Sequence, residues 1–233
     1  MKIYAISDLH LSLTTEKPMD VFGGNWEGYT EKIKANWKAK VNDDDLVLVA
    51  GDISWGMKLE EAVPDLEWLG ELPGTKIIIK GNHEYWWKSI SSVREILPEG
   101  VFAIQNDAIK THGYVICGTR GWTVPEKGKE MPEEDLKIYK REVERLKLTL
   151  MSAKTLQTDS EEIIAMIHFP PFNSEKEENE FTKLFEEYGV KTVVFGHIHG
   201  YTNCPKVCEI NGVTYDFTSC DHINNDPVLI KEN

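Results

Sequence analysis

A chain of 233 residues with 41% hydrophobic and 28% charged residues can bury a substantial core, and this composition argues against a disordered chain or a fibrous repeat. The formal net charge of -13 argues against a broad basic surface of the kind that binds duplex DNA or anionic lipid. A small anionic substrate bound through metal ions is compatible with this charge. We expect one domain that spans residues 1–233.

The amino terminus and the cysteines bear on the cellular compartment. The first residues, MKIYAISDLHL, have one lysine and too short an apolar stretch for a signal peptide. No stretch reaches the roughly 18 apolar residues that a membrane span needs. The four cysteines include one closely spaced pair, Cys204 and Cys208, but a zinc knuckle needs a second matching pair. We therefore predict reduced structural thiols rather than disulfides or a zinc knuckle. We therefore expect a cytoplasmic protein with no membrane partner.

Short apolar runs alternate with longer helical patterns along the chain, which predicts βα units and a largely parallel central sheet. The predicted strands are 2–7, 45–50, 76–80, 162–168 and 191–195. The predicted helices cover about 30–40, 58–70, 133–157 and 177–188. Three further runs are typical of antiparallel additions, namely 114–120, 206–210 and 213–217. Asn211 and Gly212 join the last two runs and predict a hairpin.

Each of the five predicted strands ends next to side chains that can bind a metal ion. The stretches SDLH, AGDIS, KGNHEY, IHFPPF and FGHIHG supply Asp8, His10, Asp52, Asn82, His83, His168, His197 and His199. Residues two apart on an extended segment point to the same side, so each Asp-x-His or His-x-His pair can present both groups together. A lone histidine is usually a surface or core residue, but the coincidence at five strand ends favours a metal site. Only His112 and His222 fall outside these stretches.

In that order, Asp-x-His, Gly-Asp, Gly-Asn-His-Glu, a later His and Gly-His-x-His resemble the five signature blocks of the calcineurin-like metallophosphoesterase superfamily. The blocks run from Asp8 to His199 and so cover most of the chain. The resemblance implies a sandwich of two mixed β-sheets flanked by helices (αββα), with a two-metal site at the strand ends. The residues by themselves indicate only an α/β fold with some antiparallel strands.

The resemblance also implies which residues bind the two ions. One ion would be bound by Asp8, His10, Asp52 and His199, and the other by Asp52, Asn82, His168 and His197, so that Asp52 bridges them. Imidazole and carboxylate ligands suit manganese, iron or zinc. The implied reaction is hydrolysis of a phosphomonoester or phosphodiester, as by a phosphatase or phosphodiesterase, through attack of a metal-bridging hydroxide.

Two residues of the Asn-His-Glu block receive other roles. In the family this histidine faces the substrate, so the resemblance implies that His83 protonates the leaving oxygen or stabilises its developing charge. Glu84 is interpreted as a structural partner of neighbouring backbone or side chains. Both roles are predictions at this level.

The second block departs from that of the protein Ser/Thr phosphatases, which reads Gly-Asp-x-x-Asp-Arg-Gly. Here it reads GDISWGM, with Trp55 in place of the second aspartate and Gly56 in place of the arginine. The chain thus resembles bacterial-type members rather than the phosphoprotein phosphatase branch. Arg120, in CGTRGW, is a candidate to bind phosphate in place of the missing arginine, because a guanidinium group matches phosphate in a bidentate way. The alternative is that Arg120 is an exposed loop arginine.

The substrate is predicted only by class. Trp26, Trp55, Trp86, Trp87 and Trp122 lie near the motifs or Arg120, and such aromatics either stack on a flat group of a nucleotide or wall the pocket and anchor loops. We expect a small phosphorylated substrate, with a nucleotide as one hypothesis. A nuclease is disfavoured by the charge, and a non-catalytic interaction module by the intact set of site residues. The oligomeric state is left open.

Overall fold

The computed structural model describes residues 1–158, 161–200 and 203–232, and its first sheet is built mainly from the amino-terminal half. The strands of this sheet are β1 Lys2–Ile6, β2 Leu46–Val49, β3 Thr75–Ile78, β4 Val101–Ala103 and β11 Val228–Glu232. They lie in the order β11-β1-β2-β3-β4, with β1 to β4 parallel and β11 antiparallel to β1. Strand β2 is buried throughout, as apolar parallel strands are when both faces are covered.

The second sheet is built from later segments. Its strands are β5 Asp107–Thr111, β6 Tyr114–Thr119, β7 Glu162–Ile167, β8 Thr192–Phe195, β9 Val207–Ile210 and β10 Val213–Phe217. They lie in the order β5-β6-β7-β8-β10-β9. The four inner strands are parallel, whereas β5 and β9 pair antiparallel at the two edges.

Helices cover the outer face of each sheet, and an apolar layer lies between the sheets. The helices are α1 Tyr29–Lys40, α2 Leu59–Gly70, α3 Ile90–Arg94, α4 Glu133–Leu156 and α5 Glu180–Glu187. Because side chains alternate along a strand, Ile3 faces the inner layer with Ile116 and Ile164, whereas Ile6 packs towards α1 and α2. Helices α4 and α5 cover the second sheet. The expected α/β sandwich, αββα, is confirmed.

Several sequence predictions need correction. The largely parallel central sheet predicted from the apolar runs is in fact two sheets, as the resemblance implies, because β1, β2 and β3 belong to one sheet and β7 and β8 to the other. An apolar run buried on both faces looks the same in either sheet, so periodicity could not divide them. The 114–120 run is not simply an antiparallel addition: β6 is antiparallel to β5 but parallel to β7. Strands β4, β5 and β11 and the short helix α3 were not predicted.

Other predictions agree with the structure. The β9–β10 hairpin turns at Asn211 and Gly212, with φ of 50° and 78°, the left-handed pair that such a turn requires. Within the described ranges, no disulfide joins any of the four cysteines. Among the described helices, none has the length and apolar character needed to cross a membrane.

Candidate metal centre

The loops after the parallel strands meet at one edge of the sandwich. Asp8 N donates to Gly51 O at 2.9 Å and His10 N to Asp52 O at 2.9 Å, so the loop after β1 runs beside the loop after β2. In the second sheet, Gly196 N donates to His168 O at 3.0 Å and links the ends of the neighbouring strands β7 and β8. Carboxyl ends of parallel strands share an edge, which is why five separate stretches can supply one site.

Four of the site residues have a backbone conformation that is unusual for residues with a side chain. Asp8, His10, Asp52 and His197 have φ of 59°, 44°, 52° and 76°. The left-handed region costs a residue other than glycine about 1–2 kcal/mol. Such cost is tolerated where the surrounding structure holds the residue in place, and it concentrates at functional sites.

The first cluster of ligand atoms comprises Asp8, His10 and His199, whose ligand atoms lie within 4.8 Å of one another. The two imidazole Nε2 atoms of His10 and His199 are 3.2 Å apart, and His199 Nε2 lies 3.5 Å from Asp8 Oδ1. Asp8 is fixed through its Oδ2 atom, which accepts from Ser7 Oγ at 2.5 Å and Ser219 Oγ at 2.8 Å. These two hydrogen bonds leave Asp8 Oδ1 turned towards His10 and His199.

The second cluster comprises Asp52, His168 and His197, again with ligand atoms within 4.8 Å of one another. Asn82 joins it: its Oδ1 lies 2.7 Å from His168 Nε2 and 2.9 Å from His197 Nδ1. His168 presents Nε2 because its Nδ1 contacts Ala50 O at 2.9 Å. The cluster therefore offers two imidazoles, one amide oxygen and one carboxylate.

Asp52 lies between the two clusters. Its Oδ2 is 3.8 Å from His10 Nε2 in the first and 3.4 Å from His168 Nε2 in the second. This oxygen is buried and has no hydrogen-bond partner within the described part of the chain. An unpaired buried carboxylate oxygen is costly unless a cation satisfies it. The donor set and this oxygen fit a pair of metal ions that share Asp52.

The pKa values of the histidines differ with their surroundings. Burial lowers the pKa of His10 to about 4 and that of His197 to about 4, so both imidazoles are neutral near pH 7 and free to bind a metal. Burial also opposes the charged form of His168, but the carboxylates of Asp52 and Asp8 outweigh it and raise its pKa to about 9. The same negative potential would attract a metal cation in place of that proton.

Glu84 holds the loops rather than pointing at the clusters. Its Oε1 accepts from Ile53 N at 2.5 Å and Ser54 N at 3.4 Å, and its Oε2 accepts from Asp52 N at 3.0 Å and Gly81 N at 2.5 Å. Burial and the charge of Asp52 raise the pKa of this carboxyl, and the backbone N–H groups oppose that rise. The interpretation of Glu84 as a structural partner is confirmed.

His83 borders the clusters and the solvent. Its Nε2 lies 3.9 Å from Asp52 Oδ2, and its side chain is 33% exposed. Its ring centroid is 4.5 Å from that of Trp55, and its buried Nδ1 has no hydrogen-bond partner among the described residues. Burial lowers the pKa of His83. Trp55, at the sequence position where the phosphatase block has its second aspartate, therefore packs its ring against His83.

A cavity of about 640 Å³ opens onto this region and is lined in part by His10, His83 and His199. Trp26 and Trp55 also line it, whereas Trp86 and Trp87 are buried in the core. Of the five tryptophans near the motifs or Arg120, two thus border the site, two pack in the core of the first sheet, and Trp122 lies against Arg120. The positions of Trp26 and Trp55 agree with walling of the pocket, and stacking on a nucleotide stays a prediction.

The structure places the side chain of Arg120 elsewhere. Its Nη2 is 3.0 Å from Glu142 Oε1, and its guanidinium lies 4.8 Å from the ring centroid of Trp122. It lines a separate cavity of about 170 Å³, although its own carbonyl accepts from His168 N at 3.0 Å. The side chain is 21% exposed, so it is not a fully exposed loop arginine either. Its role in binding phosphate stays a prediction.

One residue of the site was missed by sequence reasoning. Asp221 Oδ1 lies 3.1 Å from His199 Nδ1, and its Oδ2 accepts from Gly200 N at 2.9 Å. A carboxylate on the distal nitrogen fixes the orientation of a metal-binding imidazole and raises its basicity. Its position could have indicated this role, because Asp221 lies four residues after β10, a parallel strand that ends at the same edge of the sandwich.

Two facing mixed sheets with clustered aspartate and histidine at one edge define a metal-binding α/β sandwich. The family model described as calcineurin-like phosphoesterase matches residues 1–201 of this 233-residue chain. The chain belongs to the calcineurin-like phosphoesterase family, a family of metal-dependent hydrolases that act on phosphoester bonds.

Solved structures support the fold alone. A protein of unknown function from Aquifex aeolicus, AQ665, is 14% identical with a TM-score of 0.54, over 98% of this chain and 95% of that one. The protein TT1561 of Thermus thermophilus is 14% identical with a TM-score of 0.59, over 98% of this chain and 97% of that one. No curated protein matches the chain.

Proposed function

We propose that this chain hydrolyses a small phosphomonoester or phosphodiester with the help of two metal ions that share Asp52. The observation that carries the proposal is the position of Asp52 Oδ2, buried without a hydrogen-bond partner in the described chain and flanked by histidine nitrogens of both clusters at 3.8 and 3.4 Å. A single mononuclear site would not call for ligands on both sides of one carboxylate.

The ligands would divide as the clusters do. Asp8, His10 and His199 would hold one ion, and the other would be held by His168, His197 and Asn82, with Asp52 common to both. When bound, two such ions acidify a water molecule and neutralise the charge of a phosphoryl group. The imidazole and carboxylate donors favour manganese, iron or zinc.

The charge of the site explains how an acidic chain would hold a phosphate. Two divalent cations bring four positive charges against the two carboxylates of Asp8 and Asp52, because neutral histidine and asparagine ligands add none. The local field at this edge is then positive in a chain of net charge -13. No basic surface is needed, which agrees with a small substrate and not with a duplex nucleic acid.

We assign His83 to the leaving oxygen. Its ring lies at the mouth of the site, partly exposed and beside Trp55, with Nε2 3.9 Å from Asp52 Oδ2. From there Nε2 can donate a proton or a hydrogen bond to an oxygen bound next to Asp52. The neighbouring Trp55 ring restricts the imidazole in place of an orienting carboxylate.

The replacement His83→Ala is expected to lower kcat by about 10²–10⁴-fold, the range that general acid catalysis contributes. Metal content should not change, since His83 is outside both clusters. Turnover of an aryl phosphate and metal analysis of the same preparation measure both effects. The exposed turn residue His112 supplies the control, and His112→Asn should keep full activity. Full activity in His83→Ala would remove the assignment.

The substrate proposal rests on the cavity next to the clusters. Its aromatic wall, Trp26 and Trp55, would cover a flat substituent of a phosphate ester, as in a nucleotide. Comparing aryl phosphomonoesters, aryl phosphodiesters, nucleotides and single-stranded DNA tests this. The nucleotide proposal fails if nucleotides react no faster than the aryl esters. Fast cleavage of DNA would favour a nuclease, and no turnover with two bound metals would favour an interaction module.

A further inference from the structure

A second cavity, of about 170 Å³, lies apart from the one that opens onto His83. Its lining includes four basic side chains and one acidic side chain: Lys80, Lys88, Arg120, Arg145 and Glu142. In a chain of net charge -13, this is a local concentration of positive charge. We call it the basic pocket.

Glu142 cannot neutralise the arginines around it. This carboxylate is fully buried, and its Oε1 lies 2.6 Å from Arg145 Nη1, 3.0 Å from Arg120 Nη2 and 3.7 Å from Arg141 Nε. One negative charge therefore meets three guanidinium groups. Glu142 Oε2 and Arg120 Nε are also buried and have no hydrogen-bond partner in the described part of the chain. The arginines are held in position with positive charge in excess.

The basic pocket lies at the same edge of the sandwich as the metal clusters. Lys80 follows β3 and is two residues from Asn82, which limits their Cα separation to about 7 Å. Arg120 follows β6, and its carbonyl accepts from His168 N at 3.0 Å. Thus one wall of the pocket is two residues from Asn82 along the backbone, and another is hydrogen-bonded to the backbone of His168.

We propose that the basic pocket binds a phosphate-sized dianion, either free or as a second phosphate group of the substrate. Planar guanidinium groups match the oxygens of phosphate in a bidentate way, and lysine supplies further charge. The volume of about 170 Å³ far exceeds the ~10–15 Å³ that a single water needs. The pocket thus has room for a tetrahedral anion with its remaining waters.

Titration of inorganic phosphate into the metal-loaded chain tests the proposal, with calorimetry as the readout. Wild type should bind two phosphates per chain, one at the metal clusters and one in the basic pocket. Asp52→Asn should lose only the first. Lys88→Gln and Arg145→Gln should weaken the second by about 10-fold or more, because each removes a charged hydrogen-bond donor.

Controls separate this proposal from the proposed function. Lys147→Gln, an exposed change on α4 outside the pocket, should leave both phosphates bound. Lys88 is itself exposed, so Lys88→Gln tests the pocket even if Arg145→Gln disturbs folding. Loss of all phosphate binding in Asp52→Asn would overturn the basic pocket, as would affinity unaffected by both pocket variants. Absence of metal would instead overturn the proposed function and leave the pocket phosphate in place.

Kinetic measurements distinguish a free anion from a second phosphate group of the substrate. This comparison rests on the proposed function. An aryl phosphomonoester is compared with the same compound carrying a second phosphate. If Arg145→Gln raises KM only for the doubly phosphorylated compound, the basic pocket binds substrate. If phosphate binding weakens while the two KM values keep their ratio, the pocket binds a free anion.

Discussion

Asp52→Asn is expected to lower kcat/KM by about 10³-fold or more. Stabilisation of a phosphoryl transition state by metal ions amounts to several kcal/mol, and each loss of about 1.4 kcal/mol lowers the rate tenfold. An amide at this position removes the negative charge shared by both clusters, so both ions should bind more weakly. Steady-state kinetics and metal analysis of one preparation measure the two effects together.

Asp44→Asn is the matched control for that variant. Asp44 is exposed and precedes β2, whereas Asp52 follows the same strand. The control should keep both metal content and activity. If Asp52→Asn still binds two metals and turns over at the wild-type rate, the shared role of Asp52 is contradicted.

Glu84→Gln is expected to lower the free energy of unfolding by about 3 kcal/mol, although the two side chains have nearly the same shape. Each oxygen of Glu84 accepts from two backbone N–H groups. The amide of glutamine would turn its own N–H groups towards two of those donors. A buried donor without a partner costs about 1–3 kcal/mol.

Urea unfolding of the metal-free chain measures the effect of Glu84→Gln without a contribution from metal binding. Glu67→Gln, an exposed change on α2, is the control and should alter stability by less than about 0.5 kcal/mol. Wild-type stability in Glu84→Gln would mean that the carboxylate does not hold the two loops. The Glu84→Gln chain should also bind metal more weakly, because the loop after β2 that carries Asp52 loses a backbone acceptor whichever oxygen position the amide nitrogen takes.

Much of the site is predictable from the sequence because its metal-binding residues lie within a few residues of the ends of apolar runs. Aspartate and histidine directly after apolar runs were predicted to meet, and Asp8, His10, Asp52, His168, His197 and His199 do meet in two clusters. Strand ends converge at one edge of any largely parallel sheet, so this prediction holds although the apolar runs alone indicate one central sheet and the structure has two. Periodicity gives the direction of a strand's side chains, but it does not give the strand's neighbours.

Contacts between residues that are far apart in the sequence are harder to predict. Asp221 contacts His199 from beyond β10, and no local pattern marks that pairing. Arg120 shows the reverse problem: its loop lies next to His168, but its side chain turns to Glu142 on α4. No spacing pattern in the sequence pairs Arg120 with Glu142, a buried carboxylate 22 residues later.

The proposed hydrolysis requires two metal ions bound around Asp52. The most direct test removes metal from the chain with a chelator, restores manganese in steps, and follows bound metal and aryl phosphate turnover together. We expect turnover to appear as the second ion binds and to saturate at two ions per chain. Full turnover in the metal-free chain, or saturation at one ion, would contradict this claim.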